Sequence, residues 1–218
     1  WRSLFLRNIT YDIEEYSFRN IVSDWLSVKD LSKLHEIKEY KHFDRKHDQS
    51  TRWHKKFYEM IRIDTTFDEV YMNFLEDKIK PLFGEKIVYQ KIPTFRVHLP
   101  GNVSVGEFHK DRHYRDKSWT EKVKELNYFV PLTKAYDTNT IWTESEEDKG
   151  DFKPINSDYG RCVEWEASKL THGNKDNMSD TRVSFDFRVI PESRYIESNY
   201  LTINTKIPFG IGGYYEVL

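Results

Sequence analysis

The chain has 218 residues, with 34 basic and 36 acidic side chains and a net charge of −2, so no overall field draws it to nucleic acid or to an anionic membrane surface. Hydrophobic residues make up 38% and charged residues 32%, the balance of a polar globular chain long enough for one domain with a real core. No apolar run is long enough to span a bilayer, no signal-peptide pattern follows Trp1, and the single Cys162 cannot form an internal disulfide, which points to a reducing cytoplasm.

In chain order, residues 2–7 read as a short leading strand. From Glu14 to Val28 the apolar residues Tyr16, Phe18, Ile21, Val22, Trp25 and Leu26 recur at helical spacing. Residues 30–41 read as a second helix, and the basic, His-rich stretch 42–50 as a solvated turn. Ser50 is placed to cap a helix running to Arg62. Thr66 with Glu69 three residues later has the form of a capping box. The helix after it carries Phe67, Val70, Tyr71, Phe74, Leu75 and Ile79 as one apolar stripe, ended by Pro81 and Gly84.

From Glu85 the period changes from helical to alternating. Strands are expected at 86–90, 93–98, 103–109, 126–131, 138–143, 161–166, 168–172 and 182–190, punctuated by turns such as Pro100-Gly101-Asn102 and Gly173-Asn174. Eight short strands fit a double-sheet jelly roll. Helices first and strands later give an α+β, mainly β layout with the N-terminal helices packed on one sheet. The expected organisation is one domain over 1–218: a helical cover (1–84), a jelly-roll core (85–191) and a C-terminal extension (192–218). Cys162 falls in a strand and reads as a buried residue, because no base is matched to it.

Chemistry concentrates at His109-Lys110-Asp111. On an extended strand residues i and i+2 share a face, which would bring an imidazole and a carboxylate together. A second imidazole, His172, lies far downstream, and Arg182-Val183-Ser184 begins ten residues after it. Two His and one carboxylate with open positions form the facial triad of non-haem Fe(II) oxygenases. His-x-Asp alone occurs often by chance, and a surface ion pair or hydrogen-bonded turn would explain it equally well. The distal His and the Arg-x-Ser make the set more specific.

Together with Phe95-Arg96-Val97-His98, Glu107-Phe108-His109 and Thr181 to Arg188, these motifs resemble the 2-oxoglutarate/Fe(II)-dependent dioxygenase family. The resemblance spans residues 87–191 and is greatest to a small-molecule branch that includes the streptomycin-biosynthesis hydroxylase-like proteins. It implies a double-stranded β-helix (jelly roll, cupin-like). Fe(II) would be held by His109, Asp111 and His172, and 2-oxoglutarate would reach Arg182 and Ser184 through its distal carboxylate. O2 is the co-oxidant, with release of succinate and CO2. Asn127 sits where similar proteins often place a polar residue near the cosubstrate. Hydroxylation of a small-molecule C–H bond is the implied outcome, because related halogenases replace the carboxylate that is Asp111 here. The alternatives are a non-catalytic cupin-like binding module and a protein or nucleic-acid hydroxylase of the same fold.

The segment 182–190 alternates cleanly, with Arg182, Ser184, Asp186 and Arg188 on one face and Val183, Phe185, Phe187 and Val189 on the other. Its polar face can point to water, or, if helices cover the apolar face, into a cavity between sheets. Arg188 lies six residues beyond Arg182, about 20 Å along an extended strand, too far for one 2-oxoglutarate to span. Arg188 is therefore a candidate for binding a carboxylate-bearing substrate, with neutralisation by Asp186 as the competing reading. Arg96, Glu144 and His113 are further candidate substrate contacts. Loops 112–125 and 173–180 flank the proposed metal as candidate lids. The expected partner is a small molecule, with no nucleic acid and no membrane.

Overall fold

The computed structural model describes residues 6–37, 49–103, 107–114, 119, 122–198, 200–202 and 206–218, with backbone alone at 113 and 114. Helices lead. Phe18–Leu26 (α1), Arg52–Met60 (α2) and Thr66–Phe74 (α3) bury Phe18, Val22, Trp25, Phe57, Phe67 and Phe74. The ends of α1 and α3 follow local chemistry. α1 stops at Ser27, whose φ of 55° is left-handed. α3 starts one residue earlier than the capping-box reading: Thr65 flanks it, its hydroxyl donates to Glu69, and Asp64 accepts from the Thr66 backbone and hydroxyl. The cap of α2 is likewise Thr51 rather than Ser50. Pro81 does not end α3. The chain continues as a π turn over Leu75–Ile79 and then a 3-10 turn that takes Pro81 near its start, where a missing N–H costs least. The second expected helix is a 3-10 turn at Leu31–Glu36 flanked by Asp30 and Ile37, and 38–41, with 42–48, lie outside the described residues. A strand runs over Arg7–Thr10 (β1) and shares only Arg7 with the leading strand expected at 2–7, of which 2–5 lie outside the described residues. No helix among the described residues is long and apolar enough to cross a membrane.

The remaining strands are Ile87–Gln90 (β2), Thr94–His98 (β3), Leu126–Pro131 (β4), Ile141–Thr143 (β5), Lys153–Pro154 (β6), Arg161–Trp165 (β7), His172–Asn174 (β8), Arg182–Pro191 (β9) and Tyr215–Val217 (β10). They form two antiparallel sheets. The larger runs β1-β7-β4-β9-β2-β10, with β3 beside the first half of β9, and the smaller runs β6-β5-β8. An isolated bridge of His109 to His172 adds a further rung to the small sheet. The sheets therefore take turns along the sequence: β3 and β4 in the large one enclose the bridge at 109, and β5, β6 and β8 in the small one are interrupted by β7. That alternation is the double-sheet jelly-roll layout.

Three expected strands shift. The 138–143 strand shortens to β5, because Asp137–Asn139 forms a 3-10 turn. The 103–109 strand reduces to the bridge at His109, with 104–106 outside the described residues. The 168–172 strand is a turn that ends in β8. Ser168 and Lys169 lie in that turn, which folds the chain back so that β8 begins at His172 itself. β6 and β10 carry no alternation long enough to announce them.

Burial on β9 decides which way its faces point. Phe185 packs edge-on against Phe18 at 5.0 Å and Phe67 at 5.4 Å, and Phe187 stacks on Tyr128 at 5.1 Å. Phe95 of β3 stacks on Phe57 of α2 at 4.3 Å. Burying each such ring contributes roughly 1.5–3 kcal/mol, so the apolar face is held to the helices and the polar face is turned between the sheets. Cys162 is buried in β7 in the same core.

His54 is a core histidine of this layer, edge-on to Phe95. Burial, followed by the nearby Arg96 charge, pushes its pKa down to about 3. A free histidine titrates near 6.5. Below that pH the unfolded chain binds a proton that the folded ring does not, so the stability is full above about 6.5 and is lost as pH falls toward 3. Between pH 7 and 4.5 the protein is expected to lose on the order of 2–3 kcal/mol more than His54→Phe. Urea unfolding at the two pH values measures this, and equal losses in both proteins would remove His54 from the acid response.

Candidate active site

His109 and His172 are brought together by backbone. The His109 N–H donates to the His172 carbonyl at 2.8 Å and the His172 N–H to the His109 carbonyl at 2.9 Å. The rings then lie with centroids 4.5 Å apart. Each ring places Nδ1 against the carbonyl two residues upstream, Glu107 at 2.8 Å and Leu170 at 2.9 Å. A carbonyl only accepts, so Nδ1 carries the proton and Nε2 keeps its lone pair for a ligand. Gly173 follows His172 under the Phe108 ring. A Cβ there would sit 2.7 Å from the ring carbon of Phe108, so only glycine lets the two histidine segments approach.

Asp111 is not on a strand. It opens the 3-10 turn Asp111–Tyr114, and its N–H donates to Ala167 at 3.0 Å. The turn brings Asp111 Oδ1 to 3.5 Å from His109 Nε2 and 3.6 Å from His172 Nε2. The potential ligand atoms of the three residues all lie within 4.8 Å of one another. The two histidines respond differently. Burial pulls His109 down, but the Asp111 carboxylate and the Glu107 carbonyl outweigh it and leave the pKa raised. Burial dominates at His172 and leaves it lowered, with Asp111 opposing.

One cavity between the sheets is lined by this trio and by Asn127, Trp165, Arg182, Ser184, Asp186, Arg188 and Arg96, among others. It holds about 60 Å³, several times the roughly 10–15 Å³ that one water needs on the same measure. Arg182 and Ser184 are fully buried in its wall. Burial, then the charge of Arg96, lowers Arg182 to about 9, with Asp186 opposing. The Ser184 hydroxyl has no hydrogen-bond partner among the described residues. A buried cation next to an unused donor suits an anion that accepts hydrogen bonds, as the distal carboxylate of a keto diacid does. Two imidazoles and a carboxylate suit a divalent first-row metal.

The expected substrate contacts fare unevenly. Arg96 lines the cavity, with its Nε 3.1 Å from Asp186, so Asp186 pairs there and not with Arg188. Arg188 instead reaches Asp111 Oδ2 at 2.8 Å, Glu125 at 3.3 Å and the Tyr214 hydroxyl. Two carboxylates already balance that guanidinium, so the expected grip on a substrate carboxylate loses its charge. Burial opposes the Arg188 cation, yet Tyr214, Asp111 and Glu125 hold its pKa above the ordinary range. Glu144 is buried away from the cavity. Its oxygens accept from the Thr171 N–H at 2.6 Å and the Gly150 N–H at 3.2 Å, which steadies the residue before His172. Asn127 is at the cavity, but its amide donates to Asp111 Oδ2 at 3.4 Å. A carboxylate cannot donate, so the amide nitrogen faces Asp111 and the oxygen faces away. The side chain of His113 lies outside the described residues, as does part of the 112–125 loop. In the other flanking loop Lys175 sits 3.2 Å over the Trp142 ring.

Several residues escaped the sequence reading. Trp165 lies directly opposite Asn127 in the β4–β7 register and edge-on to His172 at 4.7 Å. Glu125 and the Tyr214-Tyr215 pair approach through Arg188. The only local signal was an alternation in β7 that puts Trp165 on the cavity face. Nothing local marked the tyrosines.

No family model matches the sequence. The chain is 33% identical over 213 residues to the streptomycin biosynthesis protein StrG of Streptomyces griseus, which covers 96% of this chain and 97% of the relative. Among solved structures it is similar to CytC3 with Fe(II) and alpha-ketoglutarate, at 14% identity and a TM-score of 0.49 over 85% of this chain and 72% of that one. It is also similar to SnoK, a non-heme alpha-ketoglutarate-dependent carbocyclase from nogalamycin biosynthesis, at 12% identity and a TM-score of 0.48 over 85% and 79%. One-third identity along nearly the whole length of both chains means that this protein belongs to the family of the streptomycin biosynthesis protein StrG, the branch that its motifs resemble.

Proposed function

We propose that the protein is a non-haem Fe(II)- and 2-oxoglutarate-dependent oxygenase that hydroxylates a C–H bond of a small molecule. The observation that carries this reading is the convergence of His109, Asp111 and His172 in the same cavity as buried Arg182 and the unpartnered Ser184 hydroxyl. The three ligand residues would hold Fe(II), with both imidazoles presenting Nε2. Arg182 and Ser184 would take the distal carboxylate of 2-oxoglutarate and so aim its keto acid end at the metal. The metal, when bound, supplies the activation of O2 that no side chain offers. In the overall balance, substrate C–H, O2 and 2-oxoglutarate give substrate C–OH, succinate and CO2, with one oxygen atom in the new hydroxyl and the other in succinate. Asp111 is the carboxylate that related halogenases replace, which supports hydroxylation over halogenation.

The substrate is a small molecule, and an anionic group on it no longer follows from Arg188. A buried, unpaired thiol at Cys162 suits a reducing cytoplasm. The second reading is a binding module with the same barrel and no turnover. Anaerobic titration with Fe(II) and 2-oxoglutarate separates the two. An oxygenase develops a visible metal-to-ligand charge-transfer band and, on admission of O2, releases succinate. Metal uptake with neither signal would leave the binding module.

A further inference from the structure

We propose that Arg188 is a positioning residue that holds Asp111 as a one-oxygen ligand, and that the C-terminal strand completes the metal site through it. This rests on the reading of His109, Asp111 and His172 as metal ligands. The two oxygens of Asp111 have different surroundings. Oδ1 faces both histidine Nε2 atoms, at 3.5 and 3.6 Å. Oδ2 faces away and accepts from Arg188 Nη2 at 2.8 Å and from Asn127 Nδ2 at 3.4 Å. A carboxylate can bind a metal through one oxygen or through both. Here the second oxygen is already engaged by a fixed cation, and a charge-assisted bond of this length is among the stronger ones.

Arg188 is itself immobilised. Its Nε lies 3.3 Å from Glu125 Oε1, and Nη1 donates to the Tyr214 hydroxyl. The other Glu125 oxygen accepts from the Tyr215 hydroxyl. Tyr215 begins β10, which pairs with β2, and the Tyr214 N–H donates to Pro208. Asp111, from its 3-10 turn, and Tyr214, from the residue before β10, thus meet on one planar guanidinium. The fork geometry matters, because Nη1 and Nη2 donate to separate partners while Nε faces Glu125 as an ion pair; a lysine ammonium carries the charge but cannot reproduce the fork.

The consequence is a count of open positions. With one oxygen from Asp111, three protein ligands leave three positions on one face. If Asp111 chelated through both oxygens, two positions would remain, which a two-point ligand such as 2-oxoglutarate fills, with none left for O2. Arg188 therefore acts on the reaction with O2 more than on uptake of the metal or the cosubstrate.

The test uses the full chain with Arg188→Lys, Arg188→Met and Tyr214→Phe. Fe(II) affinity, 2-oxoglutarate affinity of the Fe(II) form and the visible charge-transfer band are measured anaerobically, then the decay of the band on admission of O2, alongside thermal melts. Outer partners of metal ligands typically change metal affinity or activity by about 10- to 100-fold. For Arg188→Met a slowing of that size is expected in the decay of the band on admission of O2, with the band itself shifted and 2-oxoglutarate still bound. Arg188→Lys should recover part of the loss, and Tyr214→Phe should move the band in the same direction by less. Because Arg188→Met could fail to fold, Arg188→Lys and Tyr214→Phe carry the test by themselves. An unchanged band that decays with O2 at the wild-type rate, with only a lower melting temperature, would make Arg188 a scaffold residue and overturn the proposal. A wild-type protein that takes up neither Fe(II) nor 2-oxoglutarate would instead overturn the oxygenase reading, and this proposal with it.

Discussion

Replacing His172 with alanine is expected to abolish turnover and to weaken Fe(II) binding by more than about 100-fold, since even partners outside the ligand set change metal affinity by about 10- to 100-fold. The fold should survive. The His109–His172 bridge is made by backbone groups, which alanine keeps, and the ring faces a cavity rather than the aromatic core. His109→Ala should behave alike. Asp111→Ala differs in one respect. It removes the carboxylate that Arg188 contacts at 2.8 Å and leaves Glu125 as the acidic partner of that guanidinium, so a fall in thermal stability should accompany the loss of metal. Calorimetric titration with Fe(II) under argon, together with melting curves, checks all three variants. Wild-type iron affinity and full activity at limiting iron in any one of them would remove that residue from the ligand set.

Arg182→Ala should raise the 2-oxoglutarate requirement about 10- to 150-fold, the equivalent of the roughly 1.5–3 kcal/mol of a charge-assisted hydrogen bond. The physical reason is the environment of the guanidinium. It is 1% exposed, and burial beside Arg96 lowers it to about 9, so an incoming carboxylate meets a cation that little water screens. Ser184→Ala removes a neutral donor and should cost on the order of 0.5–1.5 kcal/mol, a smaller effect in the same direction. Iron affinity without 2-oxoglutarate should be unchanged in both, because neither side chain belongs to the trio of candidate ligands. Succinate release as a function of 2-oxoglutarate concentration gives the comparison. A KM for 2-oxoglutarate that stays at the wild-type value in Arg182→Ala would sink the assignment of this end of the cavity.

The alternation on 182–190 and the stripe of α3 were visible in the sequence because each depends on residues a few positions apart. Period two puts Arg182, Ser184, Asp186 and Arg188 on one face of any strand, and an apolar stripe at helical spacing forces that helix onto something apolar. The change of period at Glu85 separated helices from strands for the same reason. The motif His-x-Asp, the distal His and Arg-x-Ser named the residues that the folded chain gathers in one cavity, although Asp111 arrives there by a 3-10 turn and not by strand alternation.

The partners of those residues were decided only by tertiary structure. Whether Asp186 or Asp111 neutralises Arg188 cannot follow from spacing on β9. It depends on a turn 77 residues upstream and on Arg96, which the β3–β9 register places opposite Ser184, one step from Asp186. Glu144 looked available beside Trp142, yet backbone N–H groups from Thr171 and Gly150 claim it. Tyr214 and Tyr215 belong to a segment with no readable period, and they reach Asp111 through a guanidinium from a different strand. Local periodicity specifies which face a side chain occupies. Which charge it meets there is set by long-range strand pairing, where a buried ion must find a partner or bear its desolvation cost.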